Sequence, residues 1–243
     1  MSGELRDRLY DHYVSGGRAN APADLAGLAP RAPYLRRIIR DHFPADRDAK
    51  ILDVGCGYGA LVHFAREAGY RDVSGVDAAK QQVEAAAALG IEGVREAGVL
   101  ETLAAAAERS LDLIVSFDVM EHFTKDDLLR LVDAVHRGLR EGGRWIIHVP
   151  NAESPFFGAV LHGDLTHQQA FTRESMAQLL LASGFPEVRC YEDTPVVHGA
   201  KSLIRVLLWR LIRAGLRVYV AAETGDTSSD VIFTRNLLVV ATR

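Results

Sequence analysis

The chain has 243 residues, a formal net charge of −4, 48% hydrophobic residues and 25% charged residues. This composition is ordinary for a globular protein with a buried core, and it excludes a disordered or fibrous chain. A net negative charge argues against a general binder of polyanions, so we expect no nucleic-acid partner.

The cysteine content and the N-terminus bear on location. Cys56 and Cys190 are too few for a disulfide framework or a zinc site, which fits a reducing compartment. The residues Met1–Asp7 are charged and lack the apolar run of a signal peptide, and no uninterrupted apolar stretch reaches the roughly 18 residues of a membrane span. We therefore expect a cytoplasmic protein that does not span a membrane.

Hydrophobic spacing along the chain predicts an alternation of helices and strands. The predicted helices cover residues 31–43, 60–68, 79–88, 125–140 and 173–183. The predicted strands begin with the apolar run at Ile51 and continue at 72–76, 111–117, 144–149, 187–192 and 237–241. Repeated units of this kind predict an α/β fold, with a doubly wound, mostly parallel, seven-stranded sheet in a single domain over residues 1–243.

The segment that begins at Ile51 carries the most information about function. Its apolar run contains Asp53 and is followed by three alternating glycines, Gly55, Gly57 and Gly59. Glycine adopts backbone conformations that other residues avoid and lets a ligand approach the main chain, while the amides that open the next helix point at that ligand. We therefore predict a strand, a tight loop and a helix that bind a cofactor.

The glycines alone do not identify the cofactor. Gly55, Gly57 and Ala60 also satisfy the fingerprint of dinucleotide-binding proteins, and Asp77 stands at about the distance of a ribose-binding acid. Asp53 favours a cationic amino-acid group, because a carboxylate here would repel a pyrophosphate. An NAD(P)-dependent oxidoreductase stays open as an alternative, although the sequence offers no convincing catalytic Tyr/Lys pair.

Three motifs together resemble the class I S-adenosylmethionine-dependent methyltransferases, over roughly residues 48–190. They are Asp53-x-Gly55-x-Gly57-x-Gly59, the acid Asp77 after the next strand, and Phe117-Asp118-Val119-Met120-Glu121-His122 after a further strand. The resemblance implies an enzyme with S-adenosyl-L-methionine as its cofactor. It implies that the loop 53–59, which includes Cys56, holds the methionine part and the ribose, and that Asp77 accepts hydrogen bonds from the ribose hydroxyls. A non-catalytic binding subunit with this fold is a further alternative.

Two other segments bear on the cofactor. Many relatives have an acid after the third strand that meets the adenine, but this chain has Gly98-Val99 there, so we expect the adenine to contact backbone groups near Val99. Asp118 and His122 follow a central strand, where ligands bind in such sheets, and we expect both to contact the cofactor. The alternative is that Asp118 and Glu121 only cap the next helix.

The polar segment from Leu161 to Thr172 is the best candidate for the acceptor side. The run Thr166-His167-x-x-x-Phe171-Thr172 resembles enzymes that methylate sugars of bacterial surface polysaccharides. The resemblance implies a sugar or glycolipid hydroxyl as acceptor, although a quinone-type hydroxyl or an amine stays open. Thr172 is also suited to cap the helix that follows.

A histidine is useful here because a hydroxyl is a poor nucleophile while it keeps its proton. Imidazole has an ordinary pKa of about 6.5, and a general base typically contributes about 10²–10⁴ in rate. We predict that His167 is this base and that Asp164 orients it or substitutes for it. The alternatives are a histidine that only bonds to the backbone, and a metal set of His162, Asp164 and His167; we expect no metal, since no fourth ligand is evident.

We expect three parts in the domain: an N-terminal helical lid over 1–45, a cofactor-binding core over 46–150 and an acceptor-side half over 151–243. In the lid, Tyr10 and Tyr13 would order over the cofactor, and a disordered terminus is the alternative. The acceptor-side half contains a helical insertion at about 195–232, since relatives join their last two strands by a short hairpin.

The insertion contains a basic amphipathic segment, 201–217. Lys201, Arg205, Arg213 and Arg217 recur every four residues or so, with Trp209 among them. This pattern is typical of a helix that makes peripheral contact with an anionic membrane or holds a phosphorylated glycolipid. The alternatives are a helix packed on the sheet with a solvated arginine face, and a contact between copies in an oligomer.

Overall fold

The computed structural model describes residues 21–228 and 230–243, so Tyr10 and Tyr13 of the predicted lid lie outside the described residues. Seven strands form one sheet. They are β1 (Ile51–Val54), β2 (Val73–Asp77), β3 (Val94–Glu96), β4 (Leu111–Phe117), β5 (Leu139–Pro150), β6 (Glu187–Glu192) and β7 (Asn236–Thr242).

The order of strands in the sheet is β3-β2-β1-β4-β5-β7-β6. Neighbouring strands from β3 to β5 pair in parallel, and β7 runs antiparallel to both β5 and β6. The predicted doubly wound, mostly parallel sheet is thus confirmed. The chain reverses its direction of winding between β1 and β4, and in such sheets a crevice opens there, outside the carboxyl ends of the strands.

The helices of the described residues flank this sheet. They are α1 (Ala32–His42), α2 (Ala60–Glu67), α3 (Lys80–Ala88), α4 (Val99–Ala105), α5 (Lys125–Gly138), α6 (Phe157–Leu161), α7 (Arg173–Ala182) and α8 (Ala200–Thr224). The five core helices that the sequence predicted are present, with ends that differ by at most two residues. The sequence did not predict α4 and α6, because helices of 7 and 5 residues are too short to show a helical period.

The start of β5 differs from the prediction. The sequence predicts a helix to residue 140 and a strand from residue 144, on either side of the glycine pair 142–143, but the helix ends at Gly138 and the strand begins at Leu139. Leu139 is fully buried and pairs with Leu111 of β4. Burial of this leucine against the neighbouring strand favours the early change to extended backbone, so the glycines lie inside the strand.

Each face of the sheet is covered by its own apolar core. Ile51 of β1 belongs to a core with α1, α2 and α3, whereas the next residue, Leu52, belongs to a core with α4, α5 and α7. Successive side chains of a strand point to opposite faces, which accounts for this division. Because helices hold the sheet from both sides, the ends of β1 and β4 are fixed in space.

The predicted insertion between β6 and β7 is largely the 25-residue helix α8. Its inward side is only half buried and includes Trp209 and Arg213, whose Nε donates to Glu192 Oε2 at 2.7 Å. Its outward side carries large apolar side chains that are 47% to 72% exposed. They are Leu203, Ile204, Leu207, Leu208, Leu211, Ile212, Val218 and Tyr219.

Among the basic residues of the helix, Arg213 faces inward, whereas Lys201, Arg205 and Arg210 are exposed beside the apolar side chains, so the exposed surface of α8 is both apolar and basic. Within the part of the chain that the structure describes, no helix combines the length and the apolarity needed to cross a membrane.

Candidate active site

A cleft lies at the carboxyl ends of β1 and β4, where the topology places ligands. The empty space within it, counted out to the solvent at its mouth, is about 530 Å³. The side chains and loop residues that line it are Arg31, Leu35, Asp53, Gly55, Cys56, Gly57, Tyr58, Ala60, Leu61, Gln82, Phe117 and Asp118. We call it the cofactor cleft. Five of the predicted cofactor residues, Asp53, Gly55, Cys56, Gly57 and Asp118, line it.

The glycine loop is shaped by its backbone. The amides of Gly55 and Cys56 both donate to the carbonyl of Val76, which ties the loop to β2. Gly57 has a φ of 54°, which favours glycine, and a Cβ placed there would meet only the side-chain oxygen of Gln82 at 3.6 Å. The open side of Gly57 thus faces the cleft, and a ligand can approach the main chain there.

Asp77 supports the loop from the neighbouring strand. Its carboxylate accepts a hydrogen bond from the amide of Gly57 and another from the amide of Ala79, both at 2.8 Å. It is not among the residues that line the cleft. Asp77 therefore has a structural role that the sequence did not reveal, and its contact with a ribose stays a prediction.

Asp53 is the acid at the bottom of the cleft. Only 3% of this residue is exposed, and burial raises its pKa to about 8, a shift that Arg31 opposes and Asp77 adds to. A buried carboxyl group of this kind is stabilised by a cationic ligand group. Arg31, which sequence reasoning missed, donates to the hydroxyl of Tyr58 at 3.0 Å on the cleft wall. The N-terminus of α1 thus brings an arginine to the cleft.

Like Asp77, three other predicted cofactor residues lie outside the cleft lining: Gly59, Val99 and His122. Gly59 directly precedes α2, and a Cβ there would lie 2.7 Å from the Val94 side chain, so this glycine serves close packing. Val99 begins α4 and packs against the core that contains Leu52. Contact between the adenine and the backbone near Val99 stays a prediction.

Asp118 lies where β4 ends, with a φ of 56° and a carboxylate 2.8 Å from Nδ1 of His148. The other ring nitrogen of His148 lies 3.2 Å from the carboxylate of Asp193. Burial alone would lower the pKa of His148, but Asp118 and Asp193 raise it to about 10. The imidazolium thus holds Asp118 at the cleft. Sequence reasoning missed this residue, although a histidine in the apolar run of β5 was a signal.

The alternative in which Asp118 and Glu121 cap the next helix is wrong. The side chain of Thr124 caps α5 by accepting from the amide of Asp127. Glu121 and His122 instead lie in a short 3₁₀ helix, Met120–His122, directly after the cleft-lining Asp118. The side chains of this turn are therefore available for a site beside the cleft.

The turn meets the polar segment from α6 to α7. The His122 and His167 rings pack edge to face, with centroids 4.9 Å apart. Nδ1 of His122 lies 2.9 Å from the Thr166 hydroxyl, which donates to the carboxylate of Asp164 at 2.6 Å. Burial is the main cause that lowers the pKa of His122, which favours the neutral imidazole. Asp164 thus reaches His122 through Thr166; its role toward His167 stays a prediction.

His167 is held by the backbone. Its Nδ1 lies 3.1 Å from the carbonyl oxygen of Val160, in α6. A carbonyl only accepts, so Nδ1 carries the hydrogen and the lone pair of the neutral ring is on Nε2. Thr172 caps α7 in a reciprocal capping box with Ser175, which confirms the capping prediction and fixes the end of the segment.

Glu121 completes what we call the histidine cluster, Glu121, His122 and His167. The ligand atoms of these three side chains all lie within 4.8 Å of one another, and they form the group with metal-compatible spacing in the described residues. The alternative metal set of His162, Asp164 and His167 is therefore wrong, since His162 is exposed and Asp164 is not in the group.

The sequence matches the model of a protein family described as a methyltransferase domain over residues 29–189, which is more than half of the chain. A comparison with curated proteins gives no match.

Solved structures share the fold at low sequence identity. An S-adenosylmethionine-dependent methyltransferase from Archaeoglobus fulgidus is 18% identical, with a TM-score of 0.64, over 90% of this chain and 100% of that chain. The methyltransferase in a complex with the Trm112 activator of Haloferax volcanii is 16% identical, with a TM-score of 0.65, over 96% of both chains.

A third structure, phosphoethanolamine N-methyltransferase 2 from Haemonchus contortus in complex with S-adenosyl-L-methionine, is 17% identical, with a TM-score of 0.60. The similarity covers 98% of this chain and 60% of that chain. At these identities, the structural similarity shows the fold alone.

Proposed function

The chain belongs to the methyltransferase-domain family and is an S-adenosylmethionine-dependent methyltransferase, and from this premise we propose that it methylates a hydroxyl of a sugar or glycolipid, with His167 as the general base. The family gives no support to the oxidoreductase alternative. Within the proposal, residues 46–150 together with Arg31 bind the cofactor, and residues 151–243 bind the acceptor.

S-adenosylmethionine supplies the methyl group on a sulfonium. The protein therefore has to bind the cofactor and the acceptor, align the acceptor oxygen with the methyl carbon, and remove the proton of the acceptor. Asp53 and Arg31 both line the cleft, and Arg31 favours the ionised form of Asp53. We propose that they bind the amino group and the carboxylate of the methionine part, while the backbone of Gly55, Cys56 and Gly57 contacts the rest. The ribose would lie on Asp77, whose carboxylate has lone pairs beyond the two that the amides use.

The observation that carries the acceptor half is the hydrogen bond between His167 and Val160. It favours the tautomer in which Nε2 can accept a proton, and the ring packs on His122, which follows the cleft-lining Asp118 by four residues. We propose that Nε2 removes the proton of the acceptor hydroxyl as its oxygen bonds to the methyl carbon. Asp118 and His122 would contact the cofactor from the same side.

A glycolipid acceptor is supported by α8. Eight large apolar side chains are exposed on one helix, and no Asp or Glu occurs between Ala200 and Ala222. Exposed patches of this kind mark interaction surfaces, and a helix with an apolar face and basic flanks suits an anionic membrane surface. We propose that a cytoplasmic protein docks peripherally through Leu207 and its neighbours, close to where a lipid-linked sugar would be presented.

The first experiment is calorimetric titration with S-adenosylmethionine, S-adenosylhomocysteine and NADPH in parallel. Micromolar binding of the first two, and none of NADPH, is expected. An acceptor panel follows, in which sugars and glycolipids are matched with analogues that lack the hydroxyl, and with a quinol and an amine. Methylation of a sugar and not of its deoxy analogue supports the proposal. Turnover on the quinol or amine overturns the acceptor, and binding without any turnover indicates a non-catalytic subunit.

Docking is tested by co-sedimentation with vesicles of phosphatidylglycerol or of phosphatidylcholine. We expect binding to the anionic vesicles only, and its loss when Leu207→Glu and Leu211→Glu are combined. The matched control combines Leu129→Glu and Leu181→Glu, at exposed leucines of α5 and α7. If the protein instead forms dimers that the double variant disrupts, α8 is an oligomer contact and the membrane proposal fails.

A further inference from the structure

Glu121 is a fully buried acid that the proposed mechanism does not use. None of its surface is exposed, and neither carboxylate oxygen hydrogen-bonds to any other residue that the structure describes. Burial, together with the charge of Asp118, raises its pKa well above the ordinary value. A buried carboxyl group without a partner is costly, so its side chain calls for a ligand that supplies positive charge.

The two histidines beside Glu121 are arranged as metal ligands usually are. Nδ1 of His167 donates to the carbonyl of Val160, and Nδ1 of His122 donates to the hydroxyl of Thr166. In metal sites, the ring nitrogen that does not bind the metal usually donates to a carbonyl, a carboxylate or a water. Here one ring uses a carbonyl and the other a hydroxyl that is itself bonded to Asp164, so both rings are oriented with Nε2 as the ligating atom.

We propose that Glu121, His122 and His167 bind a divalent first-row transition-metal ion, through one carboxylate oxygen and the two Nε2 atoms. Two imidazoles and one carboxylate suit Zn²⁺, Co²⁺ or Fe²⁺ better than Mg²⁺ or Ca²⁺, which prefer oxygen ligands. The ligand atoms lie within 4.8 Å of one another, so small side-chain movements bring them to one ion. Three protein ligands leave at least one coordination position open.

The metal site extends the proposed function. Only the identity of the acceptor that would occupy the open position rests on that proposal. An acceptor hydroxyl is the natural occupant of the open position, since a bound cation lowers the pKa of an oxygen ligand. The lone pair of His167 Nε2 serves either a proton or a metal, so the base role described above belongs to the metal-free protein. Metal binding itself requires neither cofactor nor acceptor.

The test is titration of the chelator-treated protein with Co²⁺, followed by its visible absorption, with no cofactor or acceptor present. We expect one ion per chain. Glu121→Gln and His167→Ala should abolish the signal, and Thr166→Val should weaken binding by about 10–100-fold, as loss of a group behind a ligand does. The matched control is His162→Ala, an exposed histidine five residues from His167, which should bind Co²⁺ as the unmodified protein does.

Circular dichroism of each variant shows whether it folds. If Glu121→Gln does not fold, the Co²⁺ binding of Thr166→Val and His167→Ala tests the proposal. The proposal is overturned if the unmodified protein binds no Co²⁺, or if these variants bind it as tightly as the unmodified protein. Methyl transfer without a cobalt signal would leave the proposed function intact, whereas a cobalt signal without methyl transfer would leave only the metal site.

Discussion

Most of the residues that line the cofactor cleft come from the single stretch 53–61, whereas each side of the histidine cluster comes from a distant segment of the chain. In the cleft, backbone amides and glycine conformations define the surface, and Gly57 is fixed by Asp77. In the cluster, side chains do so, and the bond between Thr166 and His122 joins residues 44 apart in sequence. The shape of the cleft thus depends mainly on local backbone geometry, and the arrangement of the cluster depends on tertiary packing. Variants in the two regions should therefore affect cofactor binding and turnover separately.

The largest expected effect tests this separation at the cluster. His167→Ala removes the proposed proton acceptor, so turnover should fall by about 10²–10⁴-fold in the metal-free enzyme. Cofactor affinity should stay within about twofold, because His167 does not line the cleft. Steady-state kinetics and calorimetry measure the two quantities, with His162→Ala as control. If His167→Ala lowered cofactor affinity by as large a factor as turnover, the cleft and the cluster would not act separately.

His148 links the regions, and its loss should lower stability. His148→Leu leaves Asp118 and Asp193 without their shared partner, at a cost of about 3–5 kcal/mol in the free energy of unfolding, less to the extent that Asp118 is open to the cleft. Chemical denaturation measures this, with His162→Leu as the control. A change below 1 kcal/mol would mean that the ion pairs contribute nothing net.

The same residue gives a pH dependence. Folding raises the pKa of His148 from its ordinary 6.5 to about 10. The imidazolium therefore contributes its full stabilisation below pH 6.5 and loses it as the pH rises toward 10. We expect the unmodified protein to lose stability over this interval more steeply than His148→Leu; parallel curves would contradict the assignment.

A third variant sharpens the claim that the cleft is set by its backbone. At Gly55, φ is 71° and a Cβ would lie 2.3 Å from the Val119 side chain, whereas at Gly90 φ is also 71° and nothing lies within 4 Å. Gly90→Ala should cost only the left-handed strain, about 1–2 kcal/mol. Gly55→Ala should cost about 1–3 kcal/mol more, because of overpacking, and should weaken cofactor binding. Equal costs, measured by denaturation, would contradict the close packing.

The smallest expected effect concerns Asp53. Asp53→Asn should weaken S-adenosylmethionine binding by about 1.5–3 kcal/mol, the contribution of a charged hydrogen bond, with turnover at saturation little changed. Since burial raises the pKa of Asp53 to about 8, the carboxylate that binds the cationic amino group forms as the pH rises. Affinity should strengthen up to about pH 8 in the unmodified protein and less in Asp53→Asn. Calorimetry at several pH values checks this, with the exposed Asp72→Asn as control.

Much of the fold and of the cleft could be predicted from sequence because the signals are local. The apolar run at Ile51, the acid and the glycines occupy nine residues, and their spacing alone indicates a strand, a loop and a helix. The start of β5 was mispredicted because a glycine pair usually ends a helix, and only the pairing of Leu139 with Leu111 shows otherwise.

The histidine cluster was only partly predictable. His167 and Glu121 were singled out one by one, but the sequence does not show that they meet, nor that the Val160 carbonyl orients the ring. Arg31 was missed because an arginine before a helix has no distinctive pattern. His148 was missed because a histidine in the apolar run of β5, although a signal, does not show which acids it meets. In α8, periodicity shows two faces, but which of them packs inward depends on the partner, here Glu192.

The position of Asp193 has a consequence for communication between the insertion and the cleft. This residue directly follows β6, where the chain departs toward α8, and its carboxylate also pairs with Arg37 of α1 at 3.2 Å. Since His148 bonds to Asp193 on one side and to Asp118 on the other, a shift at the root of the insertion must either move Asp118 or break an ion pair. Binding of a membrane or a partner to α8 can therefore change the position of Asp118 in the cofactor cleft, through Asp193 and His148.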